Sequence, residues 1–252
     1  VAGCGTGKEL INLAYLYPKA RITGIDLSLA SLAYGKQKAL ELGGDNVEFM
    51  QADILEAGKL GQTFDMITCG GVLHHMKDPI AGWKALLSGL KPEGVMKIEL
   101  YSEIARAGVV RCREWIEEQS LKPTPEDMRK LRQDIINMDD DNPLKNIQTY
   151  VDFSYMTMLR DLVFHVQEHR FTLPRIGTIF EDLDLSLISM TSKRGGIMEK
   201  YHAQYPGDPQ SVNIENWHVF EEQNPEAFKN MYSFLCNRGT ARGQRPDWLF
   251  IH

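Results

Sequence analysis

Residues 3–7, Gly3-Cys4-Gly5-Thr6-Gly7 (GCGTG), stand directly before residues 8–17 (KELINLAYLY). In that second run Leu10, Ile11, Leu13, Ala14 and Leu16 recur at helical spacing, and Pro18 stops it. A glycine turn that opens a helix lets the backbone bend sharply and turns free N–H groups toward an anion. Working outward, residues 20–25 (ARITGI) read as a short buried strand that stops at Asp26; Ser28 caps a helix to about Leu42, and Gly43-Gly44 ends it. Further strands are predicted at 47–50, 64–69 (FDMITC) and 95–101 (VMKIELY), with a helix over 79–90 and a turn at 91–94. Strands separated by helices, with buried apolar runs, imply an α/β fold: a Rossmann-like, mainly parallel sheet with helices on both faces. Val1 falls at the end of the first strand of that sheet, so the strand is expected to be truncated and the sequence to be a fragment or a trimmed chain.

The glycine pattern by itself fits several nucleotide-binding families. A Walker loop is excluded, because Gly7-Lys8 is followed by Glu9 rather than Ser or Thr. The nicotinamide fingerprint asks for a third glycine where Lys8 stands. Two carboxylates add context. Asp26 lies 19 residues after Gly7 at the end of the second strand, where a carboxylate can accept both hydroxyls of a ribose. Asp53 follows the third strand, where it can accept from an adenine amine, with Leu27 or Ile54 against the ring. Each acid also has a plainer role open to it, Asp26 as a cap of the next helix and Asp53 as a turn residue.

Composition narrows the class. The 252 residues are 43% hydrophobic and 25% charged, enough for a packed core. Net charge is −6, which argues against a protein built to coat nucleic acid phosphates. No apolar run approaches the ~18 residues of a membrane span. Cys4, Cys69, Cys112 and Cys236 show no pair spacing, and a reducing cytoplasm fits them best.

Taken in order, GCGTG (3–7), ITGIDLS (22–28), VEFMQADILE (47–56), FDMITCGGVLHHMKDP (64–79) and LKPEGVMKIELYSE (90–103) resemble the class I S-adenosylmethionine-dependent methyltransferases over about residues 1–102. The resemblance implies S-adenosylmethionine as cofactor. The turn Gly3, Cys4, Gly5, Thr6 and Gly7 would receive its methionine part, Asp26 the ribose with Leu27 beside it, and Asp53 the adenine with Ile54. The backbone at Cys69, Gly70 and Gly71 would face the amino group and sulfonium. The chain departs from the family at Val1, where most relatives carry an acid two places before the first glycine. Residues 161–176 (DLVFHVQEHRFTLPRI) and 220–234 (FEEQNPEAFKNMYSF) resemble the C-terminal halves of bacterial methyltransferases that often follow tetratricopeptide repeats, which implies an upstream repeat domain.

Methyl transfer from a sulfonium is an in-line displacement, so alignment and exclusion of water do most of the work. A base is needed only where the acceptor must lose a proton. His74 and His75 follow the fourth strand, and His75 is the catalytic candidate; its plainer role is packing or capping of the next helix.

After residue 101 the rhythm changes. Residues 103–181 read as helices broken at Pro123, Pro125, Pro143 and Pro174, followed by a strand at 184–191, a helical stretch at 196–228 and a last strand at 231–236. The resulting division is a cofactor half at 1–102, a helical acceptor insertion at 103–183, the final strands with a second helical insertion at 184–237, and a tail at 238–252. Large helical insertions therefore flank the sixth strand, and they are expected to pack together as a cap over the carboxyl edge of the sheet; the alternative is a thickened flank. Residues 165–169 (HVQEH) match H-x-x-E-H, which on a helix puts both imidazoles on one face as zinc ligation requires. No third ligand follows from spacing, so no metal is assigned; an acceptor-side helix or a polar network joined by Tyr155, Arg160 and Arg170 is the preferred reading. The acceptor itself is not legible. Beside methyl transfer to an unidentified acceptor stands a second reading, a non-catalytic cofactor-binding module that docks a partner.

Overall fold

The computed structural model describes residues 1–165 and 167–239; most of the expected tail, residues 240–252, lies outside the described residues. Two parallel strands, β1 (Ile22–Asp26) and β2 (Val47–Gln51), pair in register from Ile22 opposite Val47 to Asp26 opposite Gln51. Four more follow in the order β3 (Phe64–Gly70), β4 (Leu90–Leu100), β6 (Tyr232–Arg238) and β5 (Leu185–Thr191). β3 and β4 are parallel, and β6 runs antiparallel to both of its neighbours. Val1 and Ala2 join the two groups. Ala2 bridges Ile25 in parallel, its N–H donates to the Thr68 carbonyl at 2.8 Å, and the Ile25 N–H donates to Val1 at 2.9 Å. The strand order is thus β2, β1, the 1–2 segment, β3, β4, β6, β5.

Helices lie on both faces. α1 (Lys8–Leu16) and α2 (Leu29–Glu41) cover one: Leu10 and Cys4 crowd Gly24, and Phe49 packs between Gly7 and Gly35. Ser28 caps α2 by accepting from the Ser31 N–H. The other face carries α3 (Pro79–Ser88), α7 (Leu173–Asp182), α8 (Ile197–Gln204) and α9 (Ile214–Gln223) over Met96, Ile98 and Leu100 of β4. Trp83 and Trp217, both at 0% exposure, anchor that core, each buried side chain of this size contributing roughly 1.5–3 kcal/mol. The 91–94 stretch, expected as a turn, instead lies within β4, where the pairing with β3 shifts register between Phe64 and Met66. A Pro at a bulge costs the ladder one donor without ending the strand.

A second core is built only from the insertion. α4 (Ala107–Glu118), α5 (Pro125–Asn137), two 3-10 turns (Pro143–Thr149, Val151–Ser154) and α6 (Met156–Phe164) enclose Val109, Cys112, Leu131, Ile135, Ile147, Phe153 and Leu159. The expectation that both helical insertions form one cap is corrected here. α8 and α9 bury Tyr201, Trp217 and Phe220 in the main core beside α7, so they thicken the flank of the sheet. Only α4–α6 stand apart, springing from the carboxyl end of β4. They return to the sheet through a non-helical strap at 167–171 rather than through the expected helix. Among the described residues no helix is long and apolar enough to cross a membrane.

Candidate functional site

The carboxyl ends of β2, β1, β3 and β4 meet around the glycine turn. Gly3, Gly5 and Gly7 all have positive φ, at 70°, 50° and 82°. A Cβ on Gly3 would stand 2.3 Å from a methyl of Val72, whereas one on Gly5 would meet nothing within 4 Å, so Gly5 faces open space. Gly7 begins α1. Cys4 is buried behind the turn, and burial, with Asp26 nearby, pushes its thiol up to about 11, too high for a reactive thiolate. Thr6 is exposed.

Asp26 ends β1 with both carboxylate oxygens oriented by main-chain donors: Gly5 N–H to Oδ2 at 2.8 Å and Ser28 N–H to Oδ1 at 2.8 Å. Each oxygen keeps a further lone pair for an incoming hydroxyl. Asp26 therefore does both things that the sequence offered: it ties the turn to the start of α2 and presents an acceptor edge. Asp53 accepts from the Leu55 N–H at 2.9 Å and so caps the short 3-10 turn Ile54–Lys59. Leu27 is 66% exposed beside Asp26, an apolar surface in the position expected for a ring, while Ile54 is buried below. Gly70 ends β3, and Gly71 turns the chain at φ 74° into the 3-10 turn Leu73–His75. The arrangement fits a nucleoside cofactor: two acids in a row along the sheet edge, an apolar side chain between them, and a glycine turn open at Gly5.

On the other side of Gly70–Gly71 the strap closes the site. His169 N–H donates to the His74 carbonyl at 2.7 Å, Phe171 N–H to Tyr101 at 2.9 Å, and Glu103 N–H to Phe171 at 2.9 Å. Gln167 donates from Nε2 to the Met76 carbonyl at 3.0 Å, and its own carbonyl lies 3.0 Å from His75 Nδ1. A carbonyl can only accept, so Nδ1 carries the hydrogen and Nε2 keeps a lone pair in the neutral ring. The His165 ring lies tilted against His75 at 4.1 Å between centroids. Burial lowers the His75 pKa; the Gln167 carbonyl opposes that and His165 adds to it. His74 is fully buried against the Tyr101 ring at 3.8 Å, and burial pushes it down to about 2, so it is a neutral packing group.

The H-x-x-E-H residues do not share a helix face. Glu168, 1% exposed, takes Arg106 and Arg113, the second at 2.8 Å, and Arg106 stacks on Tyr101 at 3.8 Å. Burial alone would raise the Glu168 carboxyl, but the two guanidinium groups hold it below the usual range. With Glu168 bound to arginines, the pattern serves as a clamp between the strap and α4. Arg170 stands 3.9 Å from Glu168, whereas Tyr155, just before α6, and Arg160, on it, are exposed and take no part. Sequence reading missed Tyr101, Arg106 and Gln167. The signal for Arg106 and Glu168 was the presence of buried opposite charges in apolar surroundings, which only the fold brings together.

Comparison with known proteins agrees with this geometry. A Synechococcus protein described as uncharacterised is 42% identical over 116 residues, 46% of this chain and 28% of its own length. The ubiquinone biosynthesis O-methyltransferase of Haemophilus ducreyi is 31% identical over 42% of this chain and 45% of its own. The structure of PKMT2 from Rickettsia typhi superposes with a TM-score of 0.73 at 19% identity, covering 95% of this chain and 48% of that one, so the insertion and late strands share its fold. The chain spans less than half the length of these relatives. Residues 2–150 match the methyltransferase-domain family, and this chain, with its glycine turn, Asp26 and Rossmann-like sheet, belongs to it.

Proposed function

We propose that this chain binds S-adenosylmethionine across the ends of β2, β1 and β3 and moves its methyl group to a proton-bearing nucleophile beside His75, which takes the proton. The observation that carries the reading is the His75–Gln167 contact, which fixes the tautomer that leaves Nε2 free as a base. The bound cofactor supplies a methyl group on a sulfonium, an electrophile that needs no further activation. Everything else falls to the protein. Asp26 and the glycine turn fix the nucleoside; the strap at 167–171 walls off water on the far side of Gly70–Gly71; and His75 accepts the acceptor's proton at Nε2 as the bond forms.

Several relatives support the cofactor and reaction class. PKMT2 is also known in complex with AdoHcy, at TM-score 0.70. The relatives named ubiquinone biosynthesis O-methyltransferase and trans-aconitate 2-methyltransferase match this chain over 42% and 39% of its length. The test is incubation of the purified chain with methyl-labelled S-adenosylmethionine and a cell extract. Label on a discrete acceptor, lost in His75→Gln, is the expected result. Tight cofactor binding with no label transferred would replace this reading by the binding-only module.

A further inference from the structure

Glu99 lies on β4 opposite Gly70 in the parallel register, so both point to the α1 face of the sheet. Its side chain is 8% exposed. Among the described residues, every ion pair and hydrogen bond of this carboxylate falls on one oxygen. Oε1 meets Lys193 at 2.7 Å, Lys97 at 3.3 Å and the Ser233 hydroxyl at 3.2 Å. The other oxygen, Oε2, is turned toward Gly70, where a Cβ built on the glycine would stand 2.9 Å from it. Oε2 has no partner among the described residues, so its lone pairs stand open to an incoming donor. Burial alone would raise this carboxyl, but the two lysines hold it low, so it is charged.

The position matters because of what lies along the same edge. Asp53 follows β2, Asp26 ends β1, the glycine turn follows, then Gly70 ends β3 and Glu99 reaches back to it from β4. At ~4.8 Å per strand, Gly70 stands roughly 10 Å across the turn from Asp26. A nucleoside held at Asp26 with an amino acid arm would bring the far end of the arm to Gly70.

We infer that Glu99, through the oxygen facing Gly70, receives the ammonium group of the cofactor's amino acid end. The inference rests on the cofactor reading above and names a residue for it. The ammonium supplies the hydrogen-bond donors that Oε2 lacks, in a site where the lysines already hold Oε1 and fix the carboxylate plane. Substitution of Gly70 by any side chain would close that approach.

Calorimetry on the full chain with two probes tests the inference. S-Adenosylhomocysteine carries the ammonium; 5′-methylthioadenosine keeps the nucleoside and sulfur and lacks the amino acid end. Glu99→Gln is expected to weaken the first at least tenfold and the second less than twofold. Equal weakening of both ligands, or no weakening of either, overturns the assignment. Should Glu99→Gln lose its melting transition, Glu99→Asp keeps a charge for the lysines while drawing it back from Gly70. The same selective loss is expected there, and an unchanged affinity for S-adenosylhomocysteine overturns the assignment. Failure of the unaltered chain to bind either probe would instead remove the cofactor reading, and this inference with it.

Discussion

His75 hands its Nδ1 hydrogen to the main-chain carbonyl of Gln167, 3.0 Å away and 92 residues along the chain. The contact joins the turn after β3 to the strap that returns from the helical insertion, so the proposed base and the strap are held together by one hydrogen bond. Since burial lowers the His75 pKa, the acid limb of the rate profile is expected to have its midpoint below the ordinary imidazole value of 6.5. His75→Gln is expected to slow label transfer by ~10²–10⁴-fold while changing S-adenosylhomocysteine affinity less than threefold. An acid limb at or above pH 6.5, or a near-normal rate in the variant, would refute the role.

Asp26 holds the glycine turn and the start of α2 at once, through Gly5 and Ser28. Asp26→Ala removes both main-chain contacts and the acceptor edge offered to a ribose. A charge-assisted hydrogen bond contributes about 1.5–3 kcal/mol, so calorimetry is expected to show S-adenosylhomocysteine binding weakened by roughly 10- to 100-fold. Asp26→Asn keeps one acceptor oxygen and is expected to fall between. Wild-type affinity in the alanine variant would remove Asp26 from the site.

The cofactor half was legible because its signals are local. The glycine turn, the cap at Ser28 and the strand ends at Asp26 and Gly70 each depend on a few neighbouring residues, and each stands within one or two positions of its expected place. The second half was not legible for the opposite reason. The 165–169 pattern reads as helical, yet His169, Gln167 and Phe171 find their partners at His74, Met76 and Tyr101, far away in sequence. Tertiary hydrogen bonds override the local preference there. Likewise, nothing local distinguishes helices that flank the sheet, as α8 and α9 do, from helices that build a separate core, as α4–α6 do; both bury the same kinds of apolar residue. Glu99 escaped notice because Lys193 and Ser233 stand far along the chain, and only the fold brings them to it.

Glu168 is the pin of the strap. Removing one partner of a buried ion pair leaves the others uncompensated, which costs roughly 3–5 kcal/mol. Glu168→Ala strands Arg106 and Arg113 together and is expected to lower the melting temperature accordingly. In native-state hydrogen exchange, the His169 and Phe171 amides should lose protection before those of β3 and β4. Uniform loss of protection across the sheet would show that the strap is not a separate unit. A variant as stable as the parent would show that the ion pairs contribute nothing.

Glu221 on α9 offers a sharper test of the packing between flank and sheet. It is fully buried and accepts from the Ser102 hydroxyl at 2.5 Å and the Tyr232 hydroxyl at 2.6 Å. Burial raises its carboxyl from 4.5 to about 7, although both hydroxyls act in the other direction. Between those two values the folded chain binds more protons than the unfolded chain, so this group's stabilisation is complete below pH 4.5 and is lost as pH rises through 7. The loss above pH 7 is on the order of 3 kcal/mol. Glu221→Gln keeps an oxygen to accept from Tyr232 and an amide to donate to Ser102, and it carries no charge at any pH. Thermal melts at two pH values isolate the effect, because other titrating groups cancel in the difference between variant and parent. The variant is expected to melt several degrees above the parent at about pH 8 and to converge with it toward pH 4.5. A difference that stays constant between the two, or one that grows toward acid, would show that Glu221 is already ionised in the folded core at low pH.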